Sequence, residues 1–285
     1  MTLVRMDQLL ERAEKNRVGC GAFNVGNMEM VRGAIKAAEE EQSPIILQIA
    51  EGRLIHSPLE LIGPMMINAA AKSKVDIAVH FDHGKSWEKI KEALDMGFTS
   101  VMFDGSELPL KKNIEKTNEI AMLAEKYHAC LEGELGIIGG EEDENMVMNY
   151  QYTEVRDAIE YIRNTKVDAL AIAIGNAHGT YRGGAKLNIK RLKEINDLIQ
   201  VPLVLHGGSG LSREEFQSAI WNGIQKVNIA TANFENLTKS VETYVKHRSD
   251  CDYFEMSEIM VDSVYESVKK HIRIFNMLNM ARKIH

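Results

Sequence analysis

Short apolar runs alternate along nearly the whole chain with longer segments in which apolar residues recur every three or four positions. The short runs are nearly continuous in apolar character, which is typical of strands buried on both faces of a parallel sheet. The longer segments have the period of amphipathic helices. The predicted strands are residues 21–25, 45–49, 77–81, 100–103, 129–132, 169–173, 203–205 and 226–229. The predicted helices after them are residues 28–41, 58–73, 87–96, 110–127, 155–165, 189–198, 213–221 and 232–248.

Eight strand–helix units in 285 residues predict a closed (β/α)8 TIM barrel that forms one domain over residues 1–285. A doubly wound parallel sheet is the alternative, because it gives the same alternation. A helical pattern at residues 257–279 adds an extra C-terminal helix. Residues 135–153 form a long insertion of the kind that often serves as a lid.

Polar side chains follow most of the predicted strands, and in such barrels the reacting groups lie at the carboxyl ends of the strands. His83, His178 and His206 each follow an apolar run and precede a glycine. Three imidazoles from three strand ends predict an open zinc site that leaves a position for substrate. The alternative for each is a hydrogen-bonded core histidine. The other polar residues at these ends are Asn24, Asp82, Asp104, Glu134 and Asn228.

Four carboxylates near these positions are candidates for chemistry. Asp82 precedes a predicted ligand and is a candidate general acid or base, although it could instead orient an imidazole. Asp104 and Glu134 could hold a second or shifted metal position, or accept hydrogen bonds from buried donors. Glu142 lies in the insertion and could bring a carboxylate over substrate; otherwise it is a solvated loop charge.

A phosphate site is predicted after strands seven and eight. Gly207, Gly208 and Ser209 follow strand seven, and residues 228–231 (Asn228, Ile229, Ala230 and Thr231) open the next helix. Glycines let backbone N–H groups approach an anion, and helix N-termini favour negative charge. A tight turn without a ligand is the alternative. Lys226 is predicted to open its strand, so the sequence places no lysine at the carboxyl end of a strand.

Composition narrows the classes of partner and the cellular compartment that the sequence predicts. The formal net charge of −7 argues against nucleic-acid binding, and no apolar run is long enough to span a membrane. The N-terminus lacks the apolar core of a signal peptide. The three cysteines, Cys20, Cys130 and Cys251, include no C-x-x-C pair, which predicts reduced thiols in a cytoplasmic protein.

Several motifs resemble those of one family in the same order over nearly the full chain. They lie at residues 21–24 (GAFN), 80–84 (HFDHG), 104–106 (DGS), 132–136 (EGELG), 139–143 (GGEED), 178–179 (HG), 206–210 (HGGSG) and 226–231 (KVNIAT). The chain is in this respect similar to the class II, zinc-dependent ketose-bisphosphate aldolases, which include fructose- and tagatose-bisphosphate aldolases.

The resemblance implies roles for individual residues. His83, His178 and His206 would bind Zn²⁺, with Asp104 and Glu134 as an alternate metal position. Asp82 would donate a proton to the aldehyde oxygen, and Glu142 would move the proton at the nucleophilic carbon. The residues that would hold dihydroxyacetone phosphate are Gly179, Gly207, Gly208, Ser209, Asn228, Ile229, Ala230 and Thr231, with Asn24 as a further substrate contact. The family also implies a monovalent cation (Na⁺ or K⁺) near that phosphate, and a homodimer or homotetramer.

The implied reaction is the reversible cleavage of a ketose 1-phosphate or bisphosphate to dihydroxyacetone phosphate and an aldehyde. Two departures concern the distal end of the substrate. Ala50 stands where fructose-bisphosphate members often have serine, and Phe254 stands where many have an arginine that binds the distal phosphate. A sugar or sugar-acid phosphate without a distal phosphate is therefore an alternative substrate. A zinc hydrolase of a phosphorylated substrate and a non-catalytic sugar-phosphate-binding barrel are the alternative functions.

Overall fold

The computed structural model describes residues 2–138, 151–179 and 186–282, and side chains as far as residue 276. Parallel strands β1 to β8 pair in chain order, and β1 also pairs with β8, so the sheet closes into a barrel. This confirms the (β/α)8 prediction and excludes the open doubly wound sheet. The strands are β1 Cys20–Asn24, β2 Ile45–Ala50, β3 Ile77–Gly84, β4 Ser100–Phe103, β5 Cys130–Leu135, β6 Ala169–Ile172, β7 Leu203–Leu205 and β8 Ile224–Ile229.

Helices surround this barrel and pack their apolar stripes against it, as their period predicts. The helices are α1 Met6–Asn16, α2 Met28–Glu40, α3 Leu59–Lys72, α4 Trp87–Met96, α5 Leu110–Lys126, α6 Val155–Asn164, α7 Ile189–Asn196, α8 Arg213–Trp221, α9 Thr231–Lys246 and α10 Tyr253–Arg282. Two 3-10 turns, Glu51–Arg53 and Gly208–Gly210, follow β2 and β7.

The extra C-terminal helix is α10, which is longer than the predicted segment and packs along α2. Gly33 of α2 makes this close approach possible, because a Cβ there would lie 2.5 Å from the carbonyl oxygen of Val261. The helix therefore belongs to the outer layer of the barrel and lies far along the chain from the strands it covers.

The two ends of the barrel interior differ in polarity. At the amino ends of the strands, Met6, Leu9 and Leu10 of α1 pack on apolar side chains such as Ala22 and Ile46, which closes this end. At the carboxyl ends the interior side chains are polar, and a cavity opens between the loops. The architecture therefore leaves one end for binding, as expected for this fold.

Within the described part of the chain, every helix is too short or too polar to traverse a lipid bilayer.

Candidate active site

A β-bulge in β3 brings two adjacent side chains to the same cavity. Phe81 pairs with Val101 of β4 and Gly84 with Phe103, so three steps along β3 face two along β4. Successive side chains of a regular strand point to opposite faces. The extra residue and the left-handed backbone of His83 (φ 45°) change that direction, and both Asp82 and His83 line the cavity. Left-handed backbone in a non-glycine residue is strained, and such residues cluster at functional sites.

The imidazoles of His83 and His206 are in contact. His206 Nδ1 lies 2.7 Å from His83 Nε2. The outer nitrogen of each ring contacts a carboxylate: His83 Nδ1 lies 2.9 Å from Asp104 Oδ2, and His206 Nε2 lies 2.8 Å from Glu132 Oε1. Because an ionised carboxylate can only accept, each outer nitrogen carries the hydrogen. When both rings are neutral, the inner nitrogens direct lone pairs at one another.

The third imidazole, His178, completes the group. Its ring centroid lies 5.2 Å from that of His83 and 6.0 Å from that of His206. The loop that carries it after β6 is fixed by Asn176, whose Oδ1 accepts a hydrogen bond from Ile174 N at 2.7 Å. Asn176 Nδ2 also donates to the carbonyl oxygen of His206 at 3.1 Å. Asn176 thus connects the loops that carry two of the imidazoles, a role that the sequence analysis missed.

Asp104 and Glu134 lie beside the same imidazoles. One Glu134 oxygen, Oε2, is 3.7 Å from His83 Nδ1 and 3.8 Å from His206 Nδ1. Burial alone would raise the pKa of Asp104, but hydrogen bonds to His83 and Ser106 outweigh it and lower that pKa well below its usual range. The two carboxylates are thus placed for either predicted role, a second metal position or an acceptor of buried hydrogen bonds.

A buried charge network lies beneath His206. The sequence analysis assigned no role in it to Glu132 or Lys226. Glu132 Oε2 accepts a hydrogen bond from Lys226 Nζ at 2.8 Å, and both side chains are fully buried. His80 Nε2 lies 3.6 Å from the same oxygen, and its Nδ1 contacts Ser100 Oγ at 2.8 Å. The prediction that Lys226 opens its strand is wrong, because β8 begins at Ile224 and the lysine reaches into the barrel core. The ammonium group of Lys226 is therefore paired with the Glu132 carboxylate.

Burial keeps two histidines of this network neutral. It lowers the pKa of His206 far below the usual value, with His83 adding to the effect. It lowers the pKa of His80 likewise, with the Lys226 cation as the next cause. A histidine must be neutral to coordinate a metal ion, so the electrostatics around His206 suit that purpose.

Three amide side chains fix the Asp82 carboxylate. Asn24 of β1 and Gln48 of β2 each donate to Oδ2 at 3.1 Å, and Asn228 of β8 donates to Oδ1 at 3.2 Å. Gln48 also donates to Asn24 Oδ1 at 2.7 Å, which orients that amide. The sequence analysis missed Gln48, although a lone polar residue in the apolar run of β2 was the available signal. Asp82 thus borders the cavity with its orientation set by three strands.

The loops after β7 and β8 form a backbone cradle on one side of the cavity. Gly207 is left-handed (φ 65°), and a Cβ there would lie 2.1 Å from the carbonyl oxygen of Ala177, so only glycine fits. Ser209 Oγ accepts a hydrogen bond from Ala230 N at 3.3 Å, which joins the two loops. Helix α9 begins at Thr231 and presents its amino end to the cavity. This arrangement suits an anion.

The cavity has a volume of about 310 Å³, within the range of small-molecule sites. Its lining includes most of the predicted site residues, namely Asn24, Asp82, His83, His178, Gly179, Gly207, Ser209, Asn228, Ala230 and Thr231. Gly208 and Ile229 were also predicted, but both are buried behind this surface. Glu142 lies outside the described residues. The lining is completed by Ala50, Glu51, Gly52, Arg53, Lys85 and Phe234.

The residues present fit a bound metal ion. Carboxylates contact the outer nitrogens of His83 and His206, so in neutral rings two inner lone pairs face each other at 2.7 Å, and a shared proton or a metal ion relieves their repulsion. Nitrogen atoms of His83, His178 and His206 all lie within 4.8 Å of one another. Three imidazoles, two of which line an open cavity, are typical of a catalytic zinc site. Fold and site together define a (β/α)8 barrel with a candidate catalytic metal centre.

Comparison with known proteins identifies the family. Residues 4–280 match the family described as fructose-bisphosphate aldolase class-II. The fructose-bisphosphate aldolase of Geobacillus stearothermophilus is 38% identical over 246 residues, which is 85% of each chain. That of Staphylococcus epidermidis is 34% identical and covers 99% of this chain and 100% of its own. The YdjI aldolase of Escherichia coli K12 superposes with a TM-score of 0.84 at 33% identity, over 96% of this chain and 97% of that one.

The chain therefore belongs to the class II fructose-bisphosphate aldolase family, a family of lyases. This confirms the family predicted from the sequence motifs.

Proposed function

We propose that this protein reversibly cleaves a ketose 1-phosphate or bisphosphate to dihydroxyacetone phosphate and an aldehyde, with Zn²⁺ held by His83, His178 and His206. The observation that carries the proposal is one cavity lined by His83, His178, the Asp82 carboxylate and an anion cradle, with the buried His206 ring against His83. The imidazole group, the carboxylate and the cradle would each act on a different part of such a substrate. Family membership supports the same reaction.

The metal ion would supply Lewis-acid polarisation of the substrate ketone. The protein's part is to hold its ligands neutral and oriented. Asp104 and Glu132 fix the ring orientation and tautomer of His83 and His206 through hydrogen bonds of 2.9 and 2.8 Å. Such partners are a recurrent feature of metal sites. Glu134, whose Oε2 lies 3.7 and 3.8 Å from the two rings, is the proposed additional ligand of a shifted metal position, together with Asp104.

Asp82 is the proposed proton carrier at the aldehyde oxygen. In cleavage the C4 hydroxyl gives its proton to the carboxylate, the C3–C4 bond breaks, and its electron pair stays with the dihydroxyacetone phosphate half. C3 must then take a proton, a step for which Glu142 remains the candidate from sequence. The three amides on Asp82 leave it little freedom to rotate, so it keeps the orientation that transfer needs.

The 1-phosphate would bind the cradle of Gly207, Ser209 and Thr231, with Gly179 on the facing loop. The amino end of α9, a helix of 16 residues, supplies unpaired N–H groups and a favourable dipole. Gly208 and Ile229 are both buried, so they would act by setting the backbone shape of the cradle. A monovalent cation beside this phosphate is part of the proposal on family resemblance.

The remaining expectations are also proposals. Residues 1–285 would form one domain and assemble as a homodimer or homotetramer. The protein would work in the cytoplasm, which is supported by its cysteine chemistry: all three thiols are free, and burial raises the pKa of Cys20 and of Cys130 to about 12.

The test is an aldol-condensation screen. Zinc-loaded protein receives dihydroxyacetone phosphate and a panel of aldehydes, and new ketose phosphate is measured with and without a chelator. We expect condensation that the chelator abolishes and zinc restores. Release of inorganic phosphate without condensation would instead identify a zinc hydrolase, and ligand binding without any turnover would identify a non-catalytic barrel.

Asp82→Ala separates the proton-transfer role from metal binding. We expect turnover to fall about 10²- to 10⁴-fold, the usual effect of removing a general acid or base, with zinc content unchanged. Zinc is measured by metal analysis of the purified variant, and turnover by cleavage of the best substrate in the screen. Normal turnover in this variant would remove the proposed role of Asp82.

A further inference from the structure

Three polar side chains form a hydrogen-bonded chain between the barrel and its outer helices. They are Asn113 and Thr117 on α5 and Tyr161 on α6, and each is 1% exposed or less. The layer around them is the main apolar core of the protein. A buried polar group is costly unless it is hydrogen-bonded, but a fully bonded buried chain fixes positions more exactly than apolar packing does.

The direction of every hydrogen bond in this chain is set by its last acceptor. Asn113 Nδ2 donates to the backbone carbonyl oxygen of Glu134 at 2.9 Å, and a carbonyl can only accept. Asn113 Oδ1 therefore faces Thr117, whose Oγ1 donates to it at 3.0 Å. Because that bond uses the single hydroxyl hydrogen of Thr117, the Tyr161 hydroxyl, 2.8 Å away, is the donor of the remaining bond. The amide of Asn113 is thus held in one orientation from both sides.

Asn113 lies between the ends of two strands that carry candidate oxygen ligands. Its amide holds the backbone carbonyl of Glu134 on β5. It also packs on Gly105, the residue after Asp104, so closely that a Cβ on this glycine would lie 2.3 Å from Asn113 Oδ1. One buried side chain therefore contacts the backbone of one carboxylate residue and the immediate neighbour of the other.

Tyr161 supports the same strand one residue earlier. Glu132 and Glu134 both point into the barrel, so Gly133 between them faces the outer helices. A Cβ on Gly133 would lie 2.3 Å from the Tyr161 hydroxyl oxygen, so the tyrosine fills the space that a side chain would need. Burial raises the pKa of Tyr161, and the charges of Glu134 and Asp104 raise it further, which keeps the hydroxyl protonated as a donor.

The carboxylates beside this chain belong to an oxygen-rich donor set. Ligand atoms of His83, Asp104 and Glu134 all lie within 4.8 Å of one another, and the set shares His83 with the group of three imidazoles. Imidazoles suit Zn²⁺, whereas carboxylate oxygens suit ions such as Mn²⁺. The placement of the two carboxylates should therefore affect the binding of Mn²⁺ more than that of Zn²⁺.

We propose that Asn113 is a positioning residue of the metal centre: it holds Glu134 and the loop that starts at Asp104 in the arrangement that an oxygen-preferring ion needs, while Thr117 and Tyr161 fix its amide. The inference rests on the proposed role of Asp104 and Glu134 as ligands of a shifted metal position. It goes beyond that role by assigning a function to three buried residues of the helix layer.

Metal preference tests this without any turnover. Zn²⁺ binding to metal-free protein is measured by competition with a chelator of known affinity, and Mn²⁺ binding by the electron paramagnetic resonance signal of the free ion. Asn113→Leu keeps the approximate shape of the side chain and removes both hydrogen bonds. We expect its dissociation constant for Mn²⁺ to rise about tenfold or more, and that for Zn²⁺ to stay within about twofold of wild type. A general loss of stability would not separate the two ions.

Thr117→Val/Tyr161→Phe is a second variant, which decides the question if Asn113→Leu does not fold. It removes both hydroxyls, keeps both shapes and leaves the Asn113 amide bonded to Glu134 alone. We expect the dissociation constant for Mn²⁺ to rise about three- to tenfold, again with the constant for Zn²⁺ within about twofold of wild type.

A double-mutant cycle shows whether Asn113 acts through Glu134. Glu134→Gln should weaken Mn²⁺ binding by itself, and Asn113→Leu added to it should change the constant by less than about threefold. The matched control is Gln225→Met at the amino end of β8, where the amide oxygen accepts from Leu203 N at 2.7 Å. It removes a buried bond between an amide side chain and a strand backbone at the closed end of the barrel, and should leave both constants unchanged.

Two results would overturn the inference: Mn²⁺ binding at the wild-type level in either variant that folds, or an equal loss of Mn²⁺ and Zn²⁺ binding. If Glu134→Gln weakens Mn²⁺ binding and Asn113→Leu does not, the ligand role of Glu134 stands and the positioning role fails. If Glu134→Gln leaves Mn²⁺ binding unchanged, both roles fail. If the metal preference shifts as expected but no aldehyde condenses, the positioning role stands and the proposed aldolase activity fails.

Discussion

Among the described residues, groups of side chains with metal-like spacing lie at both ends of the barrel, and two of these groups share no residue. His83, His178 and His206 lie at the carboxyl ends of the strands, and Asp7, Cys130 and Asp168 lie near the amino ends. In the second group the Arg5 guanidinium contacts both carboxylates: it donates to Asp7 Oδ2 at 2.9 Å and lies 3.9 Å from Asp168 Oδ1.

The two groups also differ in the protonation of their donor atoms. Burial raises the pKa of the Cys130 thiol to about 12, so it stays protonated, and its sulfur accepts from Asp7 N at 3.4 Å. Burial also raises the pKa of the Asp168 carboxyl, whose Oδ2 accepts from Leu131 N at 2.8 Å. At the other end, burial keeps His206 neutral, and its Nδ1 lies 2.7 Å from His83 Nε2. Proximity of donor atoms therefore does not define a metal site; unprotonated donors with a common focus do.

Removing an imidazole should give the largest effect. We expect His83→Ala and His206→Ala to lose zinc, and activity to fall on the order of a thousandfold or more, since Lewis-acid catalysis contributes several kcal/mol. Metal analysis and the condensation assay measure both. Cys130→Ala, in the other group, is the matched control and should keep its zinc. A histidine variant with full zinc and full activity would contradict the ligand assignment.

Changing the buried network should give an intermediate effect. In Glu132→Gln the amide can donate to His206 Nε2, which would move the imidazole hydrogen to Nδ1 and remove the lone pair that faces His83. We expect zinc affinity to fall about 10- to 100-fold, measured by competition with a chelator of known affinity.

Stability provides a second measure of the same change, because Lys226 would lose its carboxylate. Leaving one buried charge without its partner costs about 3–5 kcal/mol, to be measured by urea unfolding. The double variant Glu132→Gln/Lys226→Met removes that charge and should recover most of the stability but not the zinc affinity. Unchanged zinc affinity in Glu132→Gln would show that this carboxylate does not set the tautomer of His206.

The smallest effect is expected for Asp168→Asn in the amino-end group, because the substitution keeps an acceptor for Leu131 N. Zinc content should not change, and the free energy of unfolding should change by less than about 1 kcal/mol at neutral pH.

Its pH dependence is the more informative result. Because the folded pKa of Asp168 is raised, protonation favours the folded state: this contribution is complete below the unfolded pKa and is lost as pH rises through the folded pKa. The asparagine variant should lack that loss when urea unfolding is repeated across acidic pH. A reduced zinc content would show that the two ends of the barrel are coupled.

The sequence was informative where residues act locally. Alternating periods predicted the strand–helix order, and glycine after each of three strand-end histidines predicted residues that the fold brings within 4.8 Å. Both signals depend on a few neighbouring residues. The closed barrel then brings these residues together, because all carboxyl ends of its strands lie at one end.

What the sequence did not reveal depends on distant partners. Lys226 was assigned to the start of a strand because its burial is explained only by Glu132, 94 residues earlier. Gln48 was missed because its role is to hold Asp82 and Asn24 from a neighbouring strand. The hydrogen-bond partners of a buried polar group are set by register across strands, which no local pattern contains.

The bulge in β3 has a consequence for engineering such a centre elsewhere. An adjacent Asp–His pair grafted onto a regular strand would place one side chain in the barrel and the other among the outer helices. A designer who copies Asp82 and His83 must therefore also copy the three-against-two offset with β4 and the left-handed turn at His83. The unit to transfer is therefore the four-residue backbone irregularity from Phe81 to Gly84, which carries Asp82 and His83.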